Sequence, residues 1–381
     1  MNIMATPFSS HKIEEAVRHV FPAVKVLSIV AVPTKSPLRL FRLTLSHPET
    51  NLLLSMPMPS NVRLLRHENN LVHDEATLLT FLAKTTMPDN LQKIAPDLIK
   101  HCSSARDLGT SYNIVTSIGG TPLYRLSGEF TAAEKCKIHT ELGTLQRQFS
   151  TIVSPTAKFG RVSEVCAGAG FGGWTEAFMA LLESVLRDGE DMSVNIPYER
   201  IRWHAARGTW ALDEVVVARL VVLDAEDSEK VLVTQGGPHG VHIHGIQNWT
   251  QGIFGDPMIL KCFEDPSQEF LKAWQTQQDT GVGKIEESKA RLLLYACWRA
   301  VVEIVTEYVR PQSGSSAREL EARKKLTNVL FRLDGCKNVE DEEQPRRYSK
   351  NRLGPCPETK SLLDKSLQPC SPVPFVILNS I

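Results

Sequence analysis

Three acidic side chains stand close together in the middle of the chain, at Asp224, Glu226 and Asp227. They follow a short apolar segment at residues 220–223 and precede another at 231–233. Carboxylates in such a loop can act as general acids or bases, or as ligands for a hard cation. The loop is therefore a candidate site for an isomerase or cyclase, or for metal-assisted group transfer.

A second segment with chemical potential runs through residues 245–257, GIQNWTQGIFGDP. Its Asn248 offers a neutral amide oxygen, which is a weaker ligand for a hard dication than a carboxylate oxygen. Asparagine also shapes turns well, so the same residue could simply form the turn before Trp249. Both interpretations stay open at the level of the sequence.

Two further motifs predict little chemistry. Residues 168–173 fit G-x-G-x-x-G, but a dinucleotide site needs a strand before that motif, and residues 159–167 are a poor strand. His239, His242 and His244 form H-x-x-H-x-H. On a strand two of them would share a face suited to a metal, yet the adjacent glycine-proline turn favours solvated histidines.

The elements that would position these residues change in type along the chain. The first third predicts a helix at 12–20, strands at 24–32, 38–45, 51–56 and 112–117, and a helix at 74–83. The remainder predicts helices at 131–150, 174–187, 288–309 and 317–332, with short strands at 220–222, 231–233 and 241–246. Thr131 is a predicted N-cap, with Glu134 three residues on. This order indicates an α+β chain in two lobes.

Residues 52–57 (LLLSMP), 63–68 (RLLRHE) and 245–257 resemble motifs of the aminoglycoside phosphotransferase family, in its fungal branch. The resemblance extends over most of the chain, from about residue 20 to residue 335. It implies a protein-kinase-like two-lobed α+β fold, with an antiparallel-sheet N-lobe and a mostly helical C-lobe. The implied divisions are an N-lobe at 1–118, a C-lobe at 119–335 and a polar tail at 336–381.

The resemblance also implies a nucleotide site for ATP and Mg²⁺. It places Ser55 at the position of the family's ATP-binding lysine, and Glu75 at that of the lysine's ion-pair partner. A neutral serine there would leave the phosphates without a cation. We therefore expect the nucleotide side of the site to be degenerate.

On the opposite side of the implied site, Asp224 aligns with the family's catalytic aspartate and Val222 replaces a histidine. Asn248 stands where the family carries its metal-binding aspartate. A one-residue insertion leaves Glu229 or Lys230 nearest the position of a metal-binding asparagine, and Glu229 is the candidate replacement ligand.

The bulk properties limit the partners. Lys plus Arg and Asp plus Glu both number 43, so neither nucleic acid nor a membrane is an expected partner. The start of the chain has no signal-peptide pattern, and no apolar run approaches a membrane span. The eight cysteines are scattered, which favours free thiols in a reducing cytoplasm.

These observations support three hypotheses. The first is a kinase-fold protein that no longer transfers phosphate efficiently and instead binds a small molecule or acts as an accessory protein, by resemblance in a fungal-type secondary-metabolite pathway. The second is a divergent phosphotransferase that uses Asp224 as base. The third is a cyclase or isomerase that reuses the same cleft.

Overall fold

The computed structural model describes residues 10–46, 51–87, 89–236, 240–275 and 288–336. The predicted tail at 336–381 therefore lies outside the described residues except for its first member, and so does His239. In the first lobe the elements are α1 (Ser10–Arg18), β1 (Val26–Val32), β2 (Leu38–Leu45), β3 (Asn51–Pro57), α2 (Leu71–Lys84), α3 (Asp89–Ile94), β4 (Leu98–Cys102) and β5 (Tyr112–Thr116).

The strands of this lobe form one antiparallel sheet in the order β1-β2-β3-β5-β4. Leu40, Ser55 and Asn113 face one another across its three central strands. Because side chains alternate between the faces of a strand, these neighbours share one face of the sheet. That face carries Ser55 toward α2.

The two faces of the sheet have different neighbours. On one face Leu52, Leu54 and Met56 pack in a cluster with Ile13 and Val17 of α1. On the opposite face the apolar side chains join the main core, to which Leu71, Val72, Leu78, Leu79 and Leu82 of α2 also belong. A strand buried on both faces explains why residues 52–54 are continuously apolar.

The second lobe is mostly helical. Its helices are α4 (Leu123–Leu126), α5 (Ala132–Ser150), α6 (Val162–Cys166), α7 (Trp174–Asp191), α8 (Tyr198–Arg207), α9 (Thr209–Asp213), α10 (Gln268–Gln275), α11 (Lys289–Val309) and α12 (Ser315–Asp334). Its strands are β6 (Thr121–Pro122), β7 (Gly160–Arg161), β8 (Arg219–Val222), β9 (Val231–Thr234), β10 (His242–Ile246) and β11 (Gly252–Gly255). They form two small sheets, ordered β10-β9-β6 and β7-β11-β8.

Charged contacts join the lobes near the start of α2. Asp74 accepts a hydrogen bond from Ser163 Oγ at 2.6 Å and pairs with Arg161 at 3.3 Å. Glu68 forms a two-pronged ion pair with Arg310, at 2.5 Å for each oxygen. Bidentate arginine–carboxylate pairs fix orientation as well as distance, so α2 has a defined position over the second lobe.

The predicted two-lobed α+β architecture is confirmed, including the cap of α5. The Thr131 hydroxyl accepts a hydrogen bond from the Glu134 backbone N–H, and the Glu134 carboxylate accepts one from the Thr131 backbone N–H. Within the described residues no helix has both the length and the apolarity to span a bilayer. The cysteines at 102, 136, 166, 262, 297 and 336 are free thiols, whereas those at 356 and 370 lie outside the described residues.

Candidate functional site

Two β-ladders bring the candidate residues of the second lobe together. β8 pairs with β11, and Val222 lies opposite Gly252. Asp224 follows two residues after Val222, just beyond the end of β8. β9 pairs with β10, and the Gln247 backbone N–H donates to the Lys230 carbonyl at 3.0 Å. Asn248 lies in the segment that connects β10 of one ladder to β11 of the other.

Lys230 contacts residues from both segments. Its ammonium donates to Asp224 Oδ2 in a close ion pair and to the Asn248 backbone carbonyl at 3.1 Å. Both side chains of the ion pair are largely buried. We call Asp224, Lys230 and Asn248 the loop cluster.

The charge of Lys230 is set by opposing effects. Burial lowers the pKa of its ammonium, and the nearby Glu75 carboxylate opposes that shift. The Asp224 carboxylate touches the ammonium directly and therefore also favours the charged form. Burial thus brings the pKa of Lys230 down to about 7, and the direct contact with Asp224 is the geometric reason to assign Lys230 as the cation of this pair.

Asn248 has a specialised backbone. Its φ is 64°, in the left-handed region that asparagine tolerates better than most residues. The side chain is only 2% exposed, and neither its Oδ1 nor its Nδ2 has a hydrogen-bond partner among the described residues. The turn thus uses the backbone of Asn248, whereas its amide does not cap the turn before Trp249.

The surrounding segment is held rigidly. The buried Trp249 donates from Nε1 to the Ile246 carbonyl at 2.7 Å. A Cβ on Gly255 would come within 2.3 Å of the Trp174 ring, so only glycine fits there. Asp256 then caps the following turn through Met258 and accepts a hydrogen bond from Tyr295 at 2.7 Å. Asp256 is therefore a structural support.

Ser55 lies in the other half of the site, on β3. Its hydroxyl donates to Glu75 Oε2 at 2.6 Å, and Asn113 Nδ2 donates to the same oxygen at 2.9 Å. All three side chains are buried. We call Ser55, Glu75 and Asn113 the strand row. In it, two neutral donors satisfy one oxygen of a carboxylate, while Glu75 Oε1 has no hydrogen-bond partner among the described residues.

The carboxylates of the other predicted acids bind partners outside the loop cluster. Glu229 pairs through Oε1 with Lys35 at 2.7 Å and accepts from the Lys35 backbone at 3.3 Å. Glu226 accepts from the backbone N–H groups of Lys261 and Cys262, at 2.5 and 2.7 Å. Asp227 accepts from the Glu229 backbone N–H at 2.9 Å. Of these loop acids, Asp224 alone pairs its carboxylate with the Lys230 ammonium among the described residues; Glu229 as a metal ligand stays a prediction.

A cavity of about 350 Å³ opens beside these residues, between the two lobes. Its volume lies within the range of small-molecule sites. Its walls come from β1, β2 and the connection around β6. Its polar lining comes from both lobes and consists of charged residues, Arg42, Arg125, Glu229 and Lys230, together with the neutral Asn248.

A magnesium ion does not fit the loop cluster. Asp224 Oδ1 and Asn248 Oδ1 are buried oxygens with no partner among the described residues, and at first sight they resemble vacant ligands. However, Lys230 already neutralises Asp224. At roughly 4 Å, the separation expected for two cations on one carboxylate, an ammonium and a dication repel by about 8 kcal/mol at an effective dielectric of 20. No group of three acidic, histidine or cysteine ligands occurs in the described part of the chain.

The two remaining motifs do not form the sites they resemble. The glycines at 168–173 follow α6, not a strand, so the dinucleotide arrangement is absent from this described segment. His242 contacts the Thr234 hydroxyl, and its ring centre lies 6.1 Å from that of His244. These two histidines have no third ligand among the described residues.

Sequence reasoning missed the role of Lys230. The acidic loop placed Glu229 and Lys230 side by side with no way to decide which faced inward. The apolar run that begins at Val231 locates β9 but does not orient the lysine. In the structure, the Lys230 backbone N–H donates to the Asp227 carbonyl at 2.8 Å just before β9 begins.

Comparison with known proteins supports the fold. The chain is similar to aminoglycoside phosphotransferase APH(4)-Ia in a ternary complex with AMP-PNP and hygromycin B, at 14% identity and a TM-score of 0.57, covering 86% of this chain and 100% of that one. It is also similar to a putative aminoglycoside phosphotransferase from Ralstonia eutropha, at 12% identity and a TM-score of 0.55, covering 87% and 100%.

A third structure, the GDP and kanamycin complex of APH(2")-IIIa, matches at 13% identity and a TM-score of 0.54, covering 86% of this chain and 99% of that one. No family model matches the sequence, and no curated protein matches it. At these identities the likeness is one of fold. The expected protein-kinase-like fold, with its antiparallel-sheet N-lobe and mostly helical C-lobe, is confirmed.

Proposed function

We propose that this protein binds an organic small molecule in the cleft between its lobes and does not transfer phosphoryl groups efficiently. The proposal combines a phosphotransferase fold with a site that has lost its transfer machinery. The similar structures hold nucleotides and aminoglycosides, which supports a small organic ligand here.

The observation that carries the proposal is the loop cluster. Phosphoryl transfer relies on metal ions and a lysine that neutralise the phosphates, together with a free aspartate that orients the acceptor. Here the Asp224 carboxylate is bound by Lys230, and Ser55 is a neutral donor to Glu75. The aspartate is engaged, and the strand offers no cation.

The size of the defect can be estimated. Removal of one preorganised electrostatic group typically costs about 10²–10³ in rate. Loss of the strand lysine and of the metal-binding aspartate therefore predicts about 10⁴–10⁶, although such effects are not strictly additive. The expected turnover lies far below that of a working kinase.

The test is ATP consumption by the full chain with Mg²⁺, measured over a panel of hydroxylated and amino-bearing acceptors. We expect turnover indistinguishable from that of a matched Asp224→Asn variant. Turnover well above the variant, with any acceptor, would overturn the proposal and support a divergent phosphotransferase.

That alternative has one observation in its favour. Asp224 Oδ1 has no hydrogen-bond partner among the described residues and could accept a proton from an acceptor hydroxyl. Magnesium-dependent thermal stabilisation by ATP would support it. Under our proposal, Mg²⁺ adds nothing to any stabilisation by ATP.

A cyclase or isomerase is less well supported, because Glu226 and Asp227 bind backbone N–H groups and leave Asp224 as the candidate acid or base. A role in a fungal-type secondary-metabolite pathway rests on the sequence resemblance. Deletion of the gene followed by metabolite profiling tests both. Accumulation of one unmodified intermediate would favour an enzyme over a ligand-binding or accessory protein.

A further inference from the structure

We propose that Lys230 is a built-in cation that replaces the divalent metal, so that the cleft binds a nucleoside phosphate without Mg²⁺. This inference rests on the proposed function, because it names the ligand class of the same cleft. It differs from a simple loss of function. The sequence resemblance implies a lysine on β3, at the position of Ser55, whereas the structure places a lysine in the loop before β9.

The hydrogen bonding of Lys230 leaves capacity for a ligand. An ammonium has three N–H donors. Among the described residues, the structure gives Lys230 two acceptors, Asp224 Oδ2 and the Asn248 carbonyl. Lys230 also lines the cleft. A phosphate oxygen can therefore accept the third donor in a charge-assisted hydrogen bond.

The mouth of the cleft adds further positive charge. Arg42 on β2 and Arg125 on α4 both line it and are exposed. Arg42 has no ion-pair partner among the described residues, and Arg125 contacts only the neighbouring Tyr124 ring and hydroxyl in that same set. The one carboxylate of the lining, Glu229, is paired with Lys35. Anionic groups on a ligand thus meet two arginines that form no ion pair with any described residue.

The rest of the lining suits a planar ring. Val30, Val32 and Leu40 share one face of the β1–β2 ladder and form an apolar part of the lining, to which residues 120–122 of the second lobe also contribute. A nucleoside phosphate has this division into a flat, weakly polar ring and an anionic tail. A cavity of about 350 Å³ lies at the lower end of the usual range for ligand sites, which favours a nucleotide-sized ligand over a larger one.

The test is calorimetric titration of the full chain with ATP and with ADP, once with Mg²⁺ and once with EDTA. We expect binding of similar affinity in both conditions. No binding of either nucleotide, or binding that appears only with Mg²⁺, would overturn the inference. Neither result depends on turnover, so this inference and the proposed function can fail separately.

Variants locate the charge. Lys230→Met in EDTA is expected to weaken nucleotide binding by about 10–100-fold, the loss of one charge-assisted contact. Arg42→Ala provides a second measurement in a variant whose buried core is untouched, with a smaller loss in the same direction. Lys324→Met is the matched control, because Lys324 is exposed on α12 and pairs with Glu321. Equal affinity in all three variants would overturn the assignment.

The double variant Lys230→Asn/Asn248→Asp removes the ammonium and supplies a carboxylate in its place. We expect its nucleotide binding to become stronger with Mg²⁺ than with EDTA. A double variant that remains indifferent to Mg²⁺ would show that Lys230 does not stand in for the metal.

Discussion

The strand row and the loop cluster each hold a buried carboxylate, but they satisfy it in opposite ways. In the strand row, Glu75 receives neutral donors from Ser55 and Asn113. In the loop cluster, Asp224 receives the ammonium of Lys230. The difference shows that the two halves satisfy a buried carboxylate by different means: β3 contributes a neutral hydroxyl, and the loop before β9 contributes a cation.

These donors explain how both carboxylates can remain buried. A buried charge without a partner is strongly destabilising, so each of these acids needs donors close to its oxygens. Asn113 supplies one to Glu75 and is itself fixed by the Val72 carbonyl at 2.7 Å. Lys230 supplies the donor to Asp224. The Lys230 ammonium is also close enough to the Glu75 carboxylate to interact with it electrostatically.

The largest effect is expected from Lys230→Met. The change leaves the Asp224 carboxylate buried without its cation and should lower the free energy of unfolding by about 3–5 kcal/mol. Urea unfolding at neutral pH measures it. The double variant Lys230→Met/Asp224→Asn should recover most of the loss, because it also removes the charge of the carboxylate. A neutral single variant would mean that the ion pair contributes nothing in solution.

A smaller effect is expected in the strand row. Asn113→Ala removes one of the two donors to Glu75 Oε2 and should cost about 1–3 kcal/mol, the usual range for a buried group left unsatisfied. Asn51→Ala, at an exposed position of the same sheet, is the matched control and should be near neutral. If both variants unfold alike, the strand row does not depend on neutral donors.

Much of this comparison was predictable from the sequence. The apolar run before Ser55 and the turn signals around it defined β3, and the position of Glu75 on the next helix followed from the resemblance. The donors to the two buried acids, Asn113 for Glu75 and Lys230 for Asp224, were not predictable. Asn113 is one polar residue in an apolar strand, and only the register of β3 against β5 places it beside Glu75.

The direction of Lys230 escaped prediction for a different reason. Hydrophobic patterns locate the start of β9 but say nothing about which side chain of the preceding polar loop turns inward. β4 was missed too, since Leu98–Cys102 contains a lysine and a histidine and lacks the apolar alternation of its neighbours. In both cases, contacts distant in sequence decide the outcome.

The turn that carries the loop cluster makes a third, smaller prediction. Because Asn248 has a φ of 64°, Asn248→Ala should be less stable than Asn248→Gly by about 1–2 kcal/mol, the cost of a left-handed backbone for a residue with a Cβ. Both variants delete the amide, so their difference in urea unfolding isolates the backbone. Equal stability would indicate that the turn relaxes away from this conformation.

The smallest effect is expected from Asn248→Asp, which adds a carboxylate to the loop cluster and leaves the strand row unchanged. The new carboxylate would lie beside an ammonium already bonded to the backbone of the same residue, so it should form a second ion pair and not a metal site. Ser55 would still leave the phosphates without a cation on the strand. We therefore expect no gain in ATP turnover over the unmodified protein. The double variant Asn248→Asp/Asp224→Asn measures the background turnover that does not depend on Asp224. Efficient phosphoryl transfer by the single variant would show that a metal can bind at the loop cluster in spite of Lys230. It would also show that a carboxylate at position 248 is sufficient for transfer.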